Sequence, residues 1–259
     1  MYTYDARIRY SEADCENKLT PEGLLNYFQD CSTFQSEDLG LGVKYMLKHH
    51  LVWALSSWQI DVEKYPEIGE RVKIGTIPYA FKGFIGFRNF WMDDSQGNRL
   101  ATANSIWTLL DLETGKPARP LQEMLDGYQI SPKLEMEYLP RKILLPGEGE
   151  RKQRTGGSDT GKERDACEAV RIDKPEFTIT RHYLDTNHHV NNGQYVKMAL
   201  EYVEDGFTIG RLRAEYKRQA YLNDVFYPAV YQKKNICTVS LNNQDGEPYA
   251  VVELTGKEK

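Results

Sequence analysis

Several things are scarce in this sequence, and each absence narrows the reading. No window approaches the run of about 18 apolar residues that a transmembrane helix needs, so membrane insertion is not expected. The opening residues, MYTYDARIRYSEAD, lack a basic region followed by an apolar stretch, so a secretory leader is not expected and a cytoplasmic location is. There are only four cysteines, Cys15, Cys31, Cys167 and Cys237, none in a CxxC pair or at metal-ligand spacing. That scatter reads as free thiols in a reducing compartment, with no metal and no cofactor. An excess of positive charge is also missing. The net charge is −5, which argues against a general nucleic-acid binder and means that an acidic partner must find a local basic patch.

What is present is a balance of 40% hydrophobic and 27% charged residues, with 17 tyrosines, enough for folded domains with cores or an apolar cavity. The chain also reads as one unit written twice. A displacement of 171 positions lays Asp14 on Asp185, Leu19 on Val190, Leu24 on Tyr195 and Phe28 on Ala199. On either side of that register a β-branched and aromatic stretch, Asp5 to Tyr10 or Phe177 to Tyr183, predicts a strand. A polar turn and an amphipathic segment follow. In the first half Thr20 and Pro21 suit a helix start, Leu24, Leu25, Phe28, Cys31 and Ser32 recur at helical spacing, and Gly40 can close the helix. In the second, Asn191 or Asn192 can cap a helix expected over 191–205, with Gly206 after it.

Each helix has one apolar face, and the strands after it can cover that face. After the first come LVWALSSWQIDV, ERVKIGTIPYAF, GFIGFRNFWMDD and LATANSIWTLLD; after the second, GRLRAEYKRQAY, VFYPAVYQKK, ICTVSLNNQ and PYAVVELT. This is an α+β plan that fits two fused hot-dog modules, each a curled antiparallel sheet wrapped around one long helix. The stretch PGEGERKQRTGGSDTGKERD (146–165) has no aromatic or β-branched run and reads as a mobile loop. The expected organisation is a module over 1–130, a connector over 131–171 and a second module over 172–259.

The second-half turn L-D-T-N-H-H-V-N-N (184–192) resembles the catalytic segment of the acyl–acyl carrier protein thioesterases of plants and bacteria. WALSSWQIDVEKYPEIGERVKI, RNFWMDDSQGNRLATANSIWTLLDLETGKPARP and RAEYKRQAY look like further parts of that family, so the likeness spans most of the chain. The length suits a bacterial member, since plant members carry an added transit peptide. The resemblance puts Asp185, Asn187 and His189 in the catalytic set. The family's fourth member is a Glu within Tyr-Arg-Arg-Glu-Cys. The matching run is Tyr216-Lys217-Arg218-Gln219-Ala220, so Gln219 replaces that Glu and Ala220 the Cys. A Gln can orient water but cannot accept a proton.

The chemistry of thioester hydrolysis gives these residues roles. Asp185 suits a nucleophile or general base, His189 a proton shuttle and Asn187 a positioning group. The helix start at Asn191 and Asn192 offers free N–H groups to a carbonyl oxygen turning into an oxyanion. Each residue also has a plainer reading: Asp185 as a turn residue bonding its own backbone, Asn191 or Asn192 as a cap, and His188–His189 as a pair that points to opposite faces and binds no metal. His49, His50 and His182 read as structural. The first half has Lys18 in the His189 position and Pro21 in the Asn192 position, so it keeps the fold without the chemistry and is free to hold an acyl chain. Trp53, Trp58, Phe84, Phe87, Trp91 and Trp107 are the candidate lining, or simply core.

The resemblance implies hydrolysis of a fatty acyl thioester, releasing free fatty acid, with acyl carrier protein as partner. The basic residues Arg211, Arg213, Lys217 and Arg218 are the expected docking cluster. A homodimer is admitted as a further assembly. Acyl-CoA hydrolysis is the nearest alternative. A hot-dog dehydratase acting on 3-hydroxyacyl chains and a non-enzymatic acyl binder are the others, the last favoured by Gln219.

Overall fold

The computed structural model describes residues 1–146, 169–185 and 187–257. Most of the expected loop at 146–165, and Cys167, lie outside the described residues. The chain divides into two compact units, Met1–Arg141 and Lys142–Lys259.

In the first unit, strand β1 (Tyr2–Arg7) leads through a 3-10 turn to helix α1 (Pro21–Asp38) and short helix α2 (Val43–Lys48). Then come β2 (Leu51–Val62), β3 (Arg71–Lys82), β4 (Ile85–Asp94), β5 (Arg99–Asp111) and short helix α3 (Gln122–Gly127). The strands form an antiparallel sheet in the order β1-β3-β4-β5-β2. Thr20 caps α1 by accepting the Gly23 N–H at 3.0 Å. At the other end Gly40, at φ +71°, donates to Glu37 while Leu41 donates to Ser36, which closes the helix in a Schellman motif. Leu24, Leu25, Phe28 and Cys31 are all buried beneath the sheet, so the amphipathic pattern reads directly as the core face.

Residues 131–141, expected in the connector, belong to the first unit. Asn89, buried in β4, accepts from the Leu134 N–H and the Tyr138 hydroxyl, and Gln59 of β2 bonds Glu137 and Leu139. Those buried amides need partners, and this segment supplies them.

The second unit repeats the plan. It contains β6 (Val170–Asp173), β7 (Phe177–Thr178), α4 (Asn192–Leu200), β8 (Ile209–Tyr216), β9 (Val225–Lys233), β10 (Ile236–Asn242) and β11 (Pro248–Gly256). Its order is β6-β9-β10-β11-β8, with β7 also on β9. The strand that follows the helix therefore comes last in its own unit's order in both cases. Both are α+β units of hot-dog type, a sheet curved about a helix. Register shifts at Leu55/Ser57 and Pro78/Ala80 in the first sheet, and at Leu241/Asn242 in the second, provide the bends.

Three local expectations change. Helix α4 ends at Leu200, because Tyr202 and Val203 donate three residues back and tighten the chain out of the helix before Gly206. The first strand is Tyr2–Arg7, and residues 181–183 form a 3-10 turn rather than strand. Helices α2 and α3 had no counterpart in the sequence pattern. They cover one end of the first core through Met46 and Met124, together with Leu41, Leu51, Leu109 and Tyr128.

Candidate functional site

The loop 184–192 is a closed turn built around one carboxylate. Asp185 Oδ1 accepts the N–H groups of Asn187 (2.7 Å) and His189 (3.2 Å), while the Asp185 N–H donates to the His189 carbonyl at 2.8 Å. His188 sits at the tip with φ +62°. Oδ2 of Asp185 has no partner among the described residues. The turn reading of Asp185 thus accounts for one oxygen and leaves the other uncommitted. Asp185 and His189 are partly buried, and Asn187 and His188 are exposed.

The turn feeds α4. The Asn191 side chain caps the helix by accepting the Gly193 N–H at 2.8 Å, and its carbonyl accepts from Gln194. The Asn192 N–H, at the first helical position, finds no acceptor among the described residues. It is the donor that a helix start leaves over, aimed along the positive end of the helix.

The segment after β8 is pinned against this loop. Val190 donates to the Ala220 carbonyl at 2.9 Å, and the Ala220 N–H donates to the Tyr195 hydroxyl of α4 at 3.1 Å. Burial raises the Tyr195 phenol above its ordinary pKa, so it serves as a neutral partner. Ala220 is fully buried between these bonds, which leaves Gln219 and Tyr221 exposed on either side of it. Tyr221 was not singled out by sequence pattern. Its ring packs edge-on against His189 with centroids 4.9 Å apart and planes at 77°. Its hydroxyl reaches Gln219 Oε1 at 3.5 Å. Two of the predicted residues therefore share one neighbour that only the tertiary contact identifies.

The tryptophans divide. Residues paired across strands share a face, and the register sets Trp53 opposite Leu109 and Trp58 opposite Ser105. The bulge at Leu55/Ser57 lets these two tryptophans, five apart in sequence, point to the same side. Trp58 packs on Phe28 of α1 and on Phe90, and Trp107 lies 6.5 Å from it on that side. Trp53 contacts Phe81 near the α2–α3 end. Trp91 alternates with Phe90 and faces away from the helix, filling the space over Gly75 with the Arg99 guanidinium at 5.6 Å. It is separated from the other three. Phe84 is exposed at a turn, and Phe87 packs on Tyr79.

The expected basic cluster is largely neutralised. Arg213 pairs with Glu253 at 2.7 Å, Arg218 with Glu247 at 2.6 Å and Lys217 with Glu215 at 3.5 Å. Cys31 and Cys237 are buried free thiols, and Cys15 is exposed. No helix among the described residues is long and apolar enough to cross a membrane.

Residues 1–128 match the model of the acyl-ACP thioesterase N-terminal domain. The chain is 26% identical over 230 residues to a chloroplastic acyl-acyl carrier protein hydrolase of Cuphea viscosissima, covering 84% of this chain and 51% of that protein. It is 26% identical over 233 residues to oleoyl-acyl carrier protein thioesterase 1 of Arabidopsis thaliana, covering 84% and 60%. The chain thus spans little more than half the length of the curated relatives it matches. Among solved structures, it is similar to an acyl-ACP thioesterase of Bacteroides thetaiotaomicron (TM-score 0.80, 20% identity, 98% and 97% covered). The 12:0-ACP thioesterase of Umbellularia californica is also similar (TM-score 0.77, 19% identity, 100% and 97% covered). Residues 1–128 thus correspond to an acyl-ACP thioesterase N-terminal domain, and the fold of repeated helix-and-sheet units over the whole chain is similar to that of the solved structures.

Proposed function

We propose that the chain hydrolyses fatty acyl thioesters, with acyl carrier protein as the thiol carrier, and releases free fatty acid. The observation that carries this reading is a single loop at the start of α4. It bears Asp185, with one carboxylate oxygen uncommitted, and His189, beside a segment that presents Gln219.

In this reading water adds to the thioester carbonyl and the carbon–sulfur bond breaks. Asp185 Oδ2 accepts the water proton, or itself attacks the carbonyl to give an anhydride that water then hydrolyses to free the acid and restore the carboxylate. His189 carries a proton to the leaving thiolate. The Asn192 N–H and the dipole of α4 meet the oxyanion, a donor whose loss typically costs about 10²–10³ in rate. Asn187 and Gln219 orient water, and Tyr221 holds the His189 ring. The second unit supplies this chemistry. The first, residues 1–130 in the sequence reading, holds the acyl chain on the helix face that carries Trp53, Trp58 and Trp107. The protein acts in the cytoplasm, without cofactor or metal, as one chain or as a homodimer.

Thiol release measured with acyl carrier protein and CoA thioesters from about C8 to C18 tests this. Faster turnover on the carrier-protein substrates is expected. Enoyl thioester without thiol would make the protein a dehydratase, and acyl binding without turnover would make it a binder.

A further inference from the structure

Arg88 occupies an unusual place in the first unit. It lies in β4 on the face that meets α1 and is only 8% exposed. Its Nη1 donates to Gln35 Oε1 of α1 and to Thr76 Oγ1, the latter at 3.2 Å. The guanidinium also stands 5.4 Å from the Tyr128 ring centroid. These partners are neutral. Its Nε and Nη2 carry three further N–H donors, and no acceptor or carboxylate among the described residues meets them.

A fully buried donor without a partner lies in the same row. The register sets Arg88 opposite Ser105, and Ser105 opposite Trp58, so the three lie side by side across β4, β5 and β2. The Trp58 indole leans toward β4, with its ring 4.8 Å from Phe90. Its Nε1 is buried without a partner, and the residue is 2% exposed. Ser105 Oγ, the nearest acceptor in the row, already receives Trp107 Nε1 at 2.7 Å. Buried donors are normally paired, and a buried cation normally has a counter-ion. Burial pushes the guanidinium below its ordinary pKa, yet an arginine remains charged in proteins. The helix face of this sheet therefore combines a positive charge and surplus N–H groups with walls of Phe28, Phe90 and Trp58.

We propose that this face is a carboxylate subsite, in which Arg88 and Trp58 receive the carboxylate of an aliphatic chain. The charge and the surplus donors call for an anionic acceptor, and the aromatic walls call for an alkyl body. The carboxylate can come from the far end of an ω-carboxyacyl substrate or from a free fatty acid entering head first. The subsite deepens the thioesterase reading, since it lies on the helix face that holds the acyl chain there, while the binding of a free carboxylate is measured without turnover.

The test uses the full chain with dodecanoate and dodecanol, which share an alkyl body and differ in the head group. Dodecanoate should bind at least about tenfold more tightly, as expected for charge-assisted hydrogen bonds. It should also move the NMR resonances of the Trp58 indole N–H and the Arg88 Nε–H. Arg88→Met should abolish the preference, and Arg88→Lys should keep part of it. Should Arg88→Met fail to fold, the wild-type resonances and the Trp58→Phe variant decide the matter. Equal affinity for acid and alcohol, or dodecanoate binding that leaves both resonances in place, overturns the proposal. The source is read from turnover: a KM lower for ω-carboxyacyl than for plain acyl thioesters identifies the substrate's far end. Competitive inhibition by dodecanoate without that preference identifies the free acid. If no acyl thioester is turned over at all, the thioesterase reading fails while the binding result stands.

Discussion

The two turns that precede α1 and α4 are built alike and differ in their side chains. In the first, Asp14 Oδ1 accepts the Glu16 and Lys18 N–H groups at 2.8 and 3.0 Å, and the Asp14 N–H donates to Lys18. In the second, Asp185 does the same with Asn187 and His189. Asn17 and His188 hold the same left-handed tip, at φ +63° and +62°. Leu19 donates to Pro66 where Val190 donates to Ala220, so Tyr65 corresponds to Gln219. A carboxylate in this turn is therefore a structural device of the repeat, and by itself is no evidence of catalysis. What distinguishes the second turn is His189 in place of Lys18, and Asn192, which has an N–H, in place of Pro21, which has none.

The largest expected effect tests that distinction directly. Asp185→Asn keeps an Oδ1 acceptor for the turn but removes the carboxylate. It should lower kcat by at least about 10²-fold with Tm within about 2 °C of wild type. Asp14→Asn should leave kcat unchanged. Equal loss from both, in steady-state thiol release, would mean that the turns are equivalent and the assignment to the second is mistaken.

Asn192→Pro imposes on α4 the start that α1 already has. Proline is at ease at the first helical position, and Asn191 is already extended, so the helix should survive. If the Asn192 N–H meets the oxyanion, kcat should fall about 10²-fold. Asn192→Ala, which retains the N–H, should cost far less. Similar rates for the two variants would exclude that donor.

Tyr221 has no counterpart in the first turn, where Glu67 follows Pro66. Tyr221→Ala should reduce kcat/KM about tenfold by freeing the His189 ring, while Tyr221→Phe, which keeps the ring, should restore most of it. The side chain is half exposed, so unfolding is not expected to confuse the result. Gln219→Glu should alter turnover only a few-fold but displace the rate profile along the pH axis, since a new carboxylate beside the loop couples to its titration. A profile superimposable on wild type from about pH 5 to 9 would remove residue 219 from the site.

The smallest effect concerns the tip. Asparagine tolerates the left-handed region well, so His188→Asn should stabilise the fold by up to about 1 kcal/mol, as chemical denaturation would measure. Turnover should be unaffected. A loss of rate would give exposed His188 a role that its geometry does not suggest.

The sequence alone determined the repeat and the strands that follow each helix, and its resemblance to a known family marked Asp185, Asn187 and His189 as candidates. Among the strands expected after the two helices, LVWALSSWQIDV coincides with β2 and the others fall within a residue or two, except that β8 stops at Tyr216 and frees Gln219 and Tyr221 from the sheet. Strand β1 is displaced, β7 is shortened, and β6 had no counterpart in the sequence pattern. These features are legible because alternation, turn glycines and helix caps are local, and a turn closed by its own Asp is local too. Other features needed the folded chain. The six-residue helices α2 and α3 are too short to carry a periodic signal, and α4 yields to its tightened last turn. The separation of Trp91 from Trp58, the neutral partners of Arg88, the ion pairs that occupy the basic cluster and the contact of Tyr221 with His189 all join residues distant in sequence or set apart by a bulge. Register and packing decide such contacts, because one extra residue in a strand turns every later side chain to the other face.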